Sequence, residues 1–253
     1  MRWTRGYGVP VRAVAILAIV ASTQAEQVTS ELPANVLTNN LLLNQVLIAN
    51  ALTANALTSK ALAANTPVYY ALNNDPNARE LLNYIVSCAL PPSEVISLHV
   101  ANATYDYNGE LGLAPEWGQP GGRCNGQCRS WISGCVIARL GYLGTKASIS
   151  LRGSNPALLT SLAVDRAYTD REAAYYGDIF SQPQKIYACL SPGQTEVPRV
   201  CGPSIANCAV HVVSTCDKVC VPFTLDGAFI ECQAAGQHYL GSVTVFLNQS
   251  SNR

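Results

Sequence analysis

Ten cysteines, all of them beyond residue 87, constrain this 253-residue chain more than any other feature of its sequence. What a cysteine does depends on its redox compartment, and the N-terminus bears on that. Arg2, Arg5 and Arg12 form a basic front, Ala13 to Ala21 is a short apolar run, and Thr23 and Ala25 fill the small-residue positions that a signal peptidase reads. Residues 1–25 therefore read as an export signal whose apolar run is too short to span a bilayer. The residue directly after the cleavage point is Glu26 and not a cysteine, which argues against a lipoprotein anchor. In an oxidising compartment an even number of thiols predicts disulfides, here up to five. Cys124, Cys128, Cys189, Cys201, Cys208, Cys216 and Cys220 lie among turn residues or short strands, where a covalent tie replaces core that such segments cannot build. Their partners, and that of Cys232, stay open at this level.

With 49% hydrophobic and 13% charged residues, the chain can bury a core, and its length suits one domain plus attachments. Three of the 16 basic residues leave with the leader while all 16 acidic ones stay, so the exported part carries a net charge of −3. Scattered Lys and Arg on a mildly acidic surface argue against nucleic acid or anionic lipid as partners.

Residues 26–74 read as a leucine- and asparagine-rich pentad arm, and 75–253 as the disulfide-bonded body. Leu37, Leu42, Leu47, Leu52, Leu57 and Leu62 recur every five residues with Asn40, Asn50, Asn55 and Asn65 between them. Five residues turn a helix about 140° beyond a full turn, and an odd step alternates faces on a strand, so neither element alone aligns these leucines. A square β-coil with one pentad per side would align them, but Ala51 and Ala56 stand between Asn and Leu, off the pentapeptide-repeat phase. A low-complexity arm is the plainer expectation.

In the body, Asp75 caps a predicted helix opening at Pro76 and stopping before Pro91, with Ala78, Leu81, Leu82, Ile85, Val86 and Ala89 on one face and Cys88 at its edge. Val95 to Val100 reads as a strand, and Asn108-Gly109 as a hairpin turn between Tyr105, Tyr107 and Leu111, Leu113. Cys128, Trp131, Ile132, Cys135 and Val136 follow helical spacing, in a helix expected to end near Gly141 or Gly144. Lys146 to Arg152 alternates as a strand with one wet face, Asn155-Pro156 opens a third helix, and short strands fill the rest. The fold class is α+β, a mostly antiparallel sheet with two or three short helices.

The strings LLNYIVSCAL (81–90), GLAPEW (112–117), GCVIARL (134–140), ISLRG (149–153) and EAAYYGDIF (172–180), with the repeated Ala-Asn-Ala-Leu-Thr, resemble uncharacterised exported proteins of myxobacteria and related bacteria. The likeness spans most of the exported part and implies export, a leucine-asparagine arm and a cysteine-bearing body, without an activity. In that group the aromatic string often has Gly at the position of Ala173 and Asn at that of Asp178, which makes Asp178 a poor candidate for an obligatory acid.

Catalytic constellations fare poorly. Cys88 and Cys135 sit with the apolar faces of two predicted helices, and packing those faces together would bridge them, although separate partners stay open. Such a loop would stabilise by about 2 to 4 kcal/mol. The C-x3-C pairs Cys124/Cys128 and Cys216/Cys220, with His211, could hold zinc, but they lie far apart and lack a histidine pair. Cys128 at a helix start faintly resembles papain-type peptidases, without their Gly-Ser-Cys-Trp order or a residue placed to orient His211 or His238. No Gly-x-Ser-x-Gly elbow occurs. Of the acids Asp165, Asp170, Glu172 and Asp178, the last two would stand about 20 Å apart on a straight strand, beyond glycosidase spacing. Tyr105, Tyr107, Trp117, Tyr175 and Tyr176 are candidate rings for a ligand, against the plainer reading that they cover a small sheet. The sequon at Asn102 matters only in a glycosylating host. The expectation is an exported, periplasmic, surface or extracellular protein without cofactor or metal, which binds a glycan or surface protein or serves structurally. The competing expectation is an extracellular hydrolase of glycoside or peptide bonds.

Overall fold

The computed structural model describes residues 50–142, 147–203, 205, 208–223 and 227–248. The export signal and the pentads of Leu37, Leu42 and Leu47 lie outside these residues. The described chain is α+β, with three helices of nine or more residues and sheets that are antiparallel except at one strand pair. Among the described residues no helix is long and apolar enough to cross a membrane.

Helical residues Asn50–Thr53 (α1), Ser59–Ala64 (α2) and Thr66–Asn74 (α3) lead into Pro76–Ala89 (α4). Of the pentad leucines, Leu52, Leu57 and Leu62 are buried in the main core with Val68, Leu72 and Leu81, so this part of the segment packs with the residues from 75 onward. The five-residue step works because turns between short helices reset the face each time, which no continuous helix or strand could do. Two reciprocal bonds dock this segment: Leu57 N–H donates to the Trp117 carbonyl (2.8 Å) and Trp117 Nε1 donates to the Asn55 carbonyl (2.8 Å).

Helix α4 follows its expected bounds, with the Asp75 carboxylate accepting from Asn77 N–H at 2.8 Å. It packs on Gly126–Ala138 (α5), and Cys88 and Cys135 are joined between them. Helix α5 stops at Ala138, short of Gly141. It lies so close to the sheet that a Cβ on Gly134 would sit 2.6 Å from the Gly241 carbonyl oxygen.

Strands Val95–Val100 (β1) and Ala103–Asn108 (β2) form a hairpin, but its turn is Ala101-Asn102, both at positive φ, and not Asn108-Gly109. Gly109 serves a different need: a Cβ there would meet the Pro91 carbonyl oxygen at 2.3 Å, so only glycine lets β2 leave against the end of α4.

Ile149–Arg152 (β3), Tyr168–Asp178 (β4), Lys185–Leu190 (β5), His211–Thr215 (β6) and Val243–Asn248 (β10) make a five-stranded sheet in the order β3-β10-β4-β5-β6, with β5 and β6 parallel. Short helices Leu162–Ala167 (α6), Pro198–Cys201 (α7) and Cys216–Val219 (α8) connect strands. Cys220–Pro222 (β7), Phe229–Ala234 (β8) and Gln237–Tyr239 (β9) form a separate antiparallel sheet. Alternation along β4 divides the interior: Ala173 and Tyr175 join the main core, while Ala174 and Tyr176 join a second, smaller one with Phe229, Cys232 and Tyr239. With both faces of this sheet covered, the expected wet face of β3 is dry at Ser150 and Arg152. The Arg152 guanidinium lies over the Phe246 ring at 3.8 Å, donates to the Tyr168 carbonyl and pairs with Asp165 at 3.2 Å.

Five disulfides tie the fold: Cys88–Cys135, Cys124–Cys128, Cys189–Cys216, Cys201–Cys208 and Cys220–Cys232. The two C-x3-C pairs thus behave differently, Cys124 bonding Cys128 while Cys216 and Cys220 reach across to other strands.

Candidate functional site

A cleft of about 420 Å³ opens between α4 and β2. Pro76, Arg79, Glu80, Asn83 and Tyr84 line one side at the three- and four-residue steps of a single helical stripe, and Tyr105, Asp106 and Tyr107 line the other. The frame is well anchored. The hairpin turn is held to α3 by Ala101 N–H donating to Asn73 Oδ1 (2.8 Å), and Tyr69 donates its hydroxyl to the His99 carbonyl (3.1 Å). Arg79 is pinned from two sides, donating to the Leu72 carbonyl at 2.6 Å while its guanidinium lies 5.1 Å from the Tyr105 ring centre. Asp106 accepts from the Ser97 hydroxyl at 2.6 Å.

Two polar atoms lining this cleft have no partner among the described residues. The Tyr107 hydroxyl is buried without a hydrogen bond, on a residue only 3% exposed, and Glu80 Oε1 is buried in the same condition. Burial raises the Glu80 carboxyl above its ordinary 4.5, so it holds its proton to higher pH than a solvated glutamate. Burial also pushes the Tyr107 phenol up to about 12; Arg79 opposes the shift and Tyr105 adds to it. The phenol is therefore a neutral donor at physiological pH. Together the walls offer aromatic surface, a carboxyl able to accept or donate, an amide, a hydroxyl and a guanidinium.

The five aromatic candidates separate. Tyr105 and Tyr107 meet in the cleft. Trp117 is fully buried, its ring edge-on to Phe180 at 6.1 Å and its indole N–H used on the pentad segment. Tyr176 lies in the smaller core, donating to the Gln233 carbonyl at 3.1 Å. Tyr175 belongs to a buried ion-pair cluster: it donates to Glu172 Oε2 at 2.9 Å, and Arg199 clasps the same carboxylate with its Nε (3.0 Å) and a terminal nitrogen (2.6 Å) while bonding the Leu140 carbonyl. Burial lifts the Tyr175 phenol well above 10, and the Glu172 charge adds to that. Burial alone would lower Arg199, but Glu172 overrides it and the guanidinium is held charged.

The acidic string is likewise committed to structure. Asp178 receives a two-pronged bond from Arg129 (3.2 and 2.5 Å) and caps the Phe180 N–H at 3.0 Å, and Asp165 binds Thr160 and Arg152. His238 pairs with Glu231, and His211 packs edge-on to Tyr187. All ten cysteines are in disulfides, Cys128 included, so the oxidised chain offers no thiol nucleophile.

Sequence reasoning missed Arg79, Glu80 and Asn83. Their signal was a polar stripe beside the apolar face of α4, the same pattern that any solvated helix back presents. No known protein family, no curated protein and no solved structure matches this chain.

Proposed function

We propose that this chain is an exported, disulfide-stapled binding protein whose α4–β2 cleft takes a hydroxyl-rich ligand, such as one unit of a glycan. The observation that carries this reading is the pair of unpartnered buried groups, Tyr107 Oη and Glu80 Oε1, lining one cleft. A dry, unpaired polar group costs on the order of 1–3 kcal/mol, a cost best explained where a ligand supplies the missing partner. A sugar hydroxyl both donates and accepts, so adjacent hydroxyls match a phenol and a carboxyl, and Tyr105 adds a ring that a pyranose can cover. Five disulfides support export, since such bridges persist in oxidising compartments. The test is calorimetric titration of the mature protein with a panel of mono- and oligosaccharides, after a glycan array. Binding that weakens about tenfold in both Tyr107→Phe and Glu80→Met supports the reading, each substitution removing one hydrogen-bonding group while keeping its bulk. Binding indifferent to both, or no saccharide bound at all, refutes it.

A hydrolytic second reading uses the same cleft, because Glu80 lines it and its carboxyl is held toward the acid form, as a general acid is. In that case the protein turns over a saccharide and Glu80→Gln abolishes product formation while leaving affinity nearly intact, whereas the binding reading predicts no turnover to lose.

A further inference from the structure

The buried disulfide Cys189–Cys216 and the neighbouring Cys220–Cys232 are in contact, with Cys189 Sγ 3.3 Å from Cys220 Sγ. Three of these four cysteines, Cys189, Cys216 and Cys232, are fully buried, while Cys220 is only half-buried at the start of β7. Cys220 is thus the one residue of the four that reaches the surface. We infer that Cys220 is a thiol–disulfide exchange site, through which an exported dithiol reductant opens the inaccessible Cys189–Cys216 bridge.

The chemistry balances in three displacements. A thiolate of the dithiol attacks Cys220 Sγ; an S–S bond forms to the reductant, the Cys220–Cys232 bond breaks, and Cys232 leaves as a thiolate that takes up a proton. The second thiol of the reductant then closes on its own mixed disulfide, leaving as an oxidised cyclic disulfide and releasing Cys220 as a thiolate. That thiolate attacks Cys189 Sγ, forming Cys189–Cys220 and expelling Cys216, which is protonated in turn. Two electrons enter from the dithiol, and two disulfides become one that joins β5 directly to β7. Cys220 Sγ already lies 3.3 Å from Cys189 Sγ, so the last step joins two sulfurs that are in contact.

The other three bridges provide the contrast. Cys88–Cys135 is as deeply buried as Cys189–Cys216, with both residues at 0% exposure, but has no accessible sulfur beside it. Cys208 is the other half-buried cysteine, so Cys201–Cys208 opens to reagent without passing the exchange on.

The experiment treats the native oxidised protein with one equivalent of dithiothreitol, quenches with an alkylating agent and maps the peptides without reduction. The expected product carries alkyl groups on Cys216 and Cys232 and a Cys189–Cys220 link, formed on the order of 100-fold faster than Cys88–Cys135 opens, as a thiolate held in contact commands a high effective concentration. Alkylation of Cys220 and Cys232 with Cys189–Cys216 intact overturns the proposal, as does loss confined to Cys201–Cys208. Two variants give independent readings. Cys216→Ser combined with Cys232→Ser should form the Cys189–Cys220 bridge during expression; two free thiols in a folded protein refute it. Cys220→Ser combined with Cys232→Ser should slow Cys189–Cys216 opening to the Cys88–Cys135 rate, and an unchanged rate refutes it.

Discussion

Two buried tyrosines of this fold should respond oppositely to loss of the same atom. Tyr107 keeps its hydroxyl dry and unpartnered on the cleft wall, whereas the Tyr175 hydroxyl bonds the Glu172 carboxylate at 2.9 Å and lies 3.3 Å from Arg199. Removing an unsatisfied buried hydroxyl while keeping the ring returns its desolvation cost, so Tyr107→Phe should stabilise the free protein by about 1 to 2 kcal/mol. Removing a hydroxyl bonded to a charged group should cost Tyr175→Phe about 1.5 to 3 kcal/mol. For a domain of this size the first is a rise of roughly 2 to 6 °C in Tm. Urea unfolding at equal m-values gives both numbers, and calorimetry gives the temperatures. A Tyr107→Phe variant less stable than the parent by more than about 0.5 kcal/mol would mean that the phenol has a partner in solution. The argument for a ligand in that cleft would then lose its basis.

Glu80 makes the same argument through pH. Its folded carboxyl sits above the ordinary 4.5, so the acid form favours folding: that contribution is full below the unfolded value and is lost as pH rises through the folded one. Glu80→Gln should therefore gain in Tm over the parent as pH rises from about 4 to about 7 and show the smallest difference at the acid end, and a pH-independent difference refutes it. Leu57→Ala, at a site 1% exposed, should destabilise the whole domain by about 2 to 5 kcal/mol; a silent substitution would return the pentads to the status of a tether. Replacing both Cys88 and Cys135 by Ala opens a loop of 47 residues and should cost about 3 to 4 kcal/mol, read as a fall in the urea midpoint.

Local punctuation was legible. Asp75-Pro76 and Pro91 bracket α4 because a cap and a missing N–H act on the backbone directly, whatever the rest of the molecule does. The bounds of β1 were equally plain from its apolar positions. What failed needed knowledge of the second layer. Alternation in 146–152 marks one wet face only if nothing covers it, and β3 shares a sheet whose second face is packed. The Asn-Gly pair at 108–109 is the stronger turn signal by composition, but Gly109 is needed for contact with Pro91, and Ala101-Asn102 bends instead.

The candidate site divides along the same line. A tyrosine advertises surface area and one hydroxyl, and sequence cannot say whether that hydroxyl meets a carboxylate, as in Tyr175, a carbonyl, as in Tyr176, or nothing, as in Tyr107. That difference is made by residues far away in the chain: Glu172 takes its charge partner from Arg199, while Tyr107 faces a helix stripe whose own Glu80 is equally unmatched. On the proposed reading, binding capacity is a deficit of partners, visible only once the other polar atoms nearby have been matched. A protein that folded for stability alone would place Phe at 107 and an apolar residue at 80; on the proposed reading a ligand from outside the chain completes the phenol and the carboxyl.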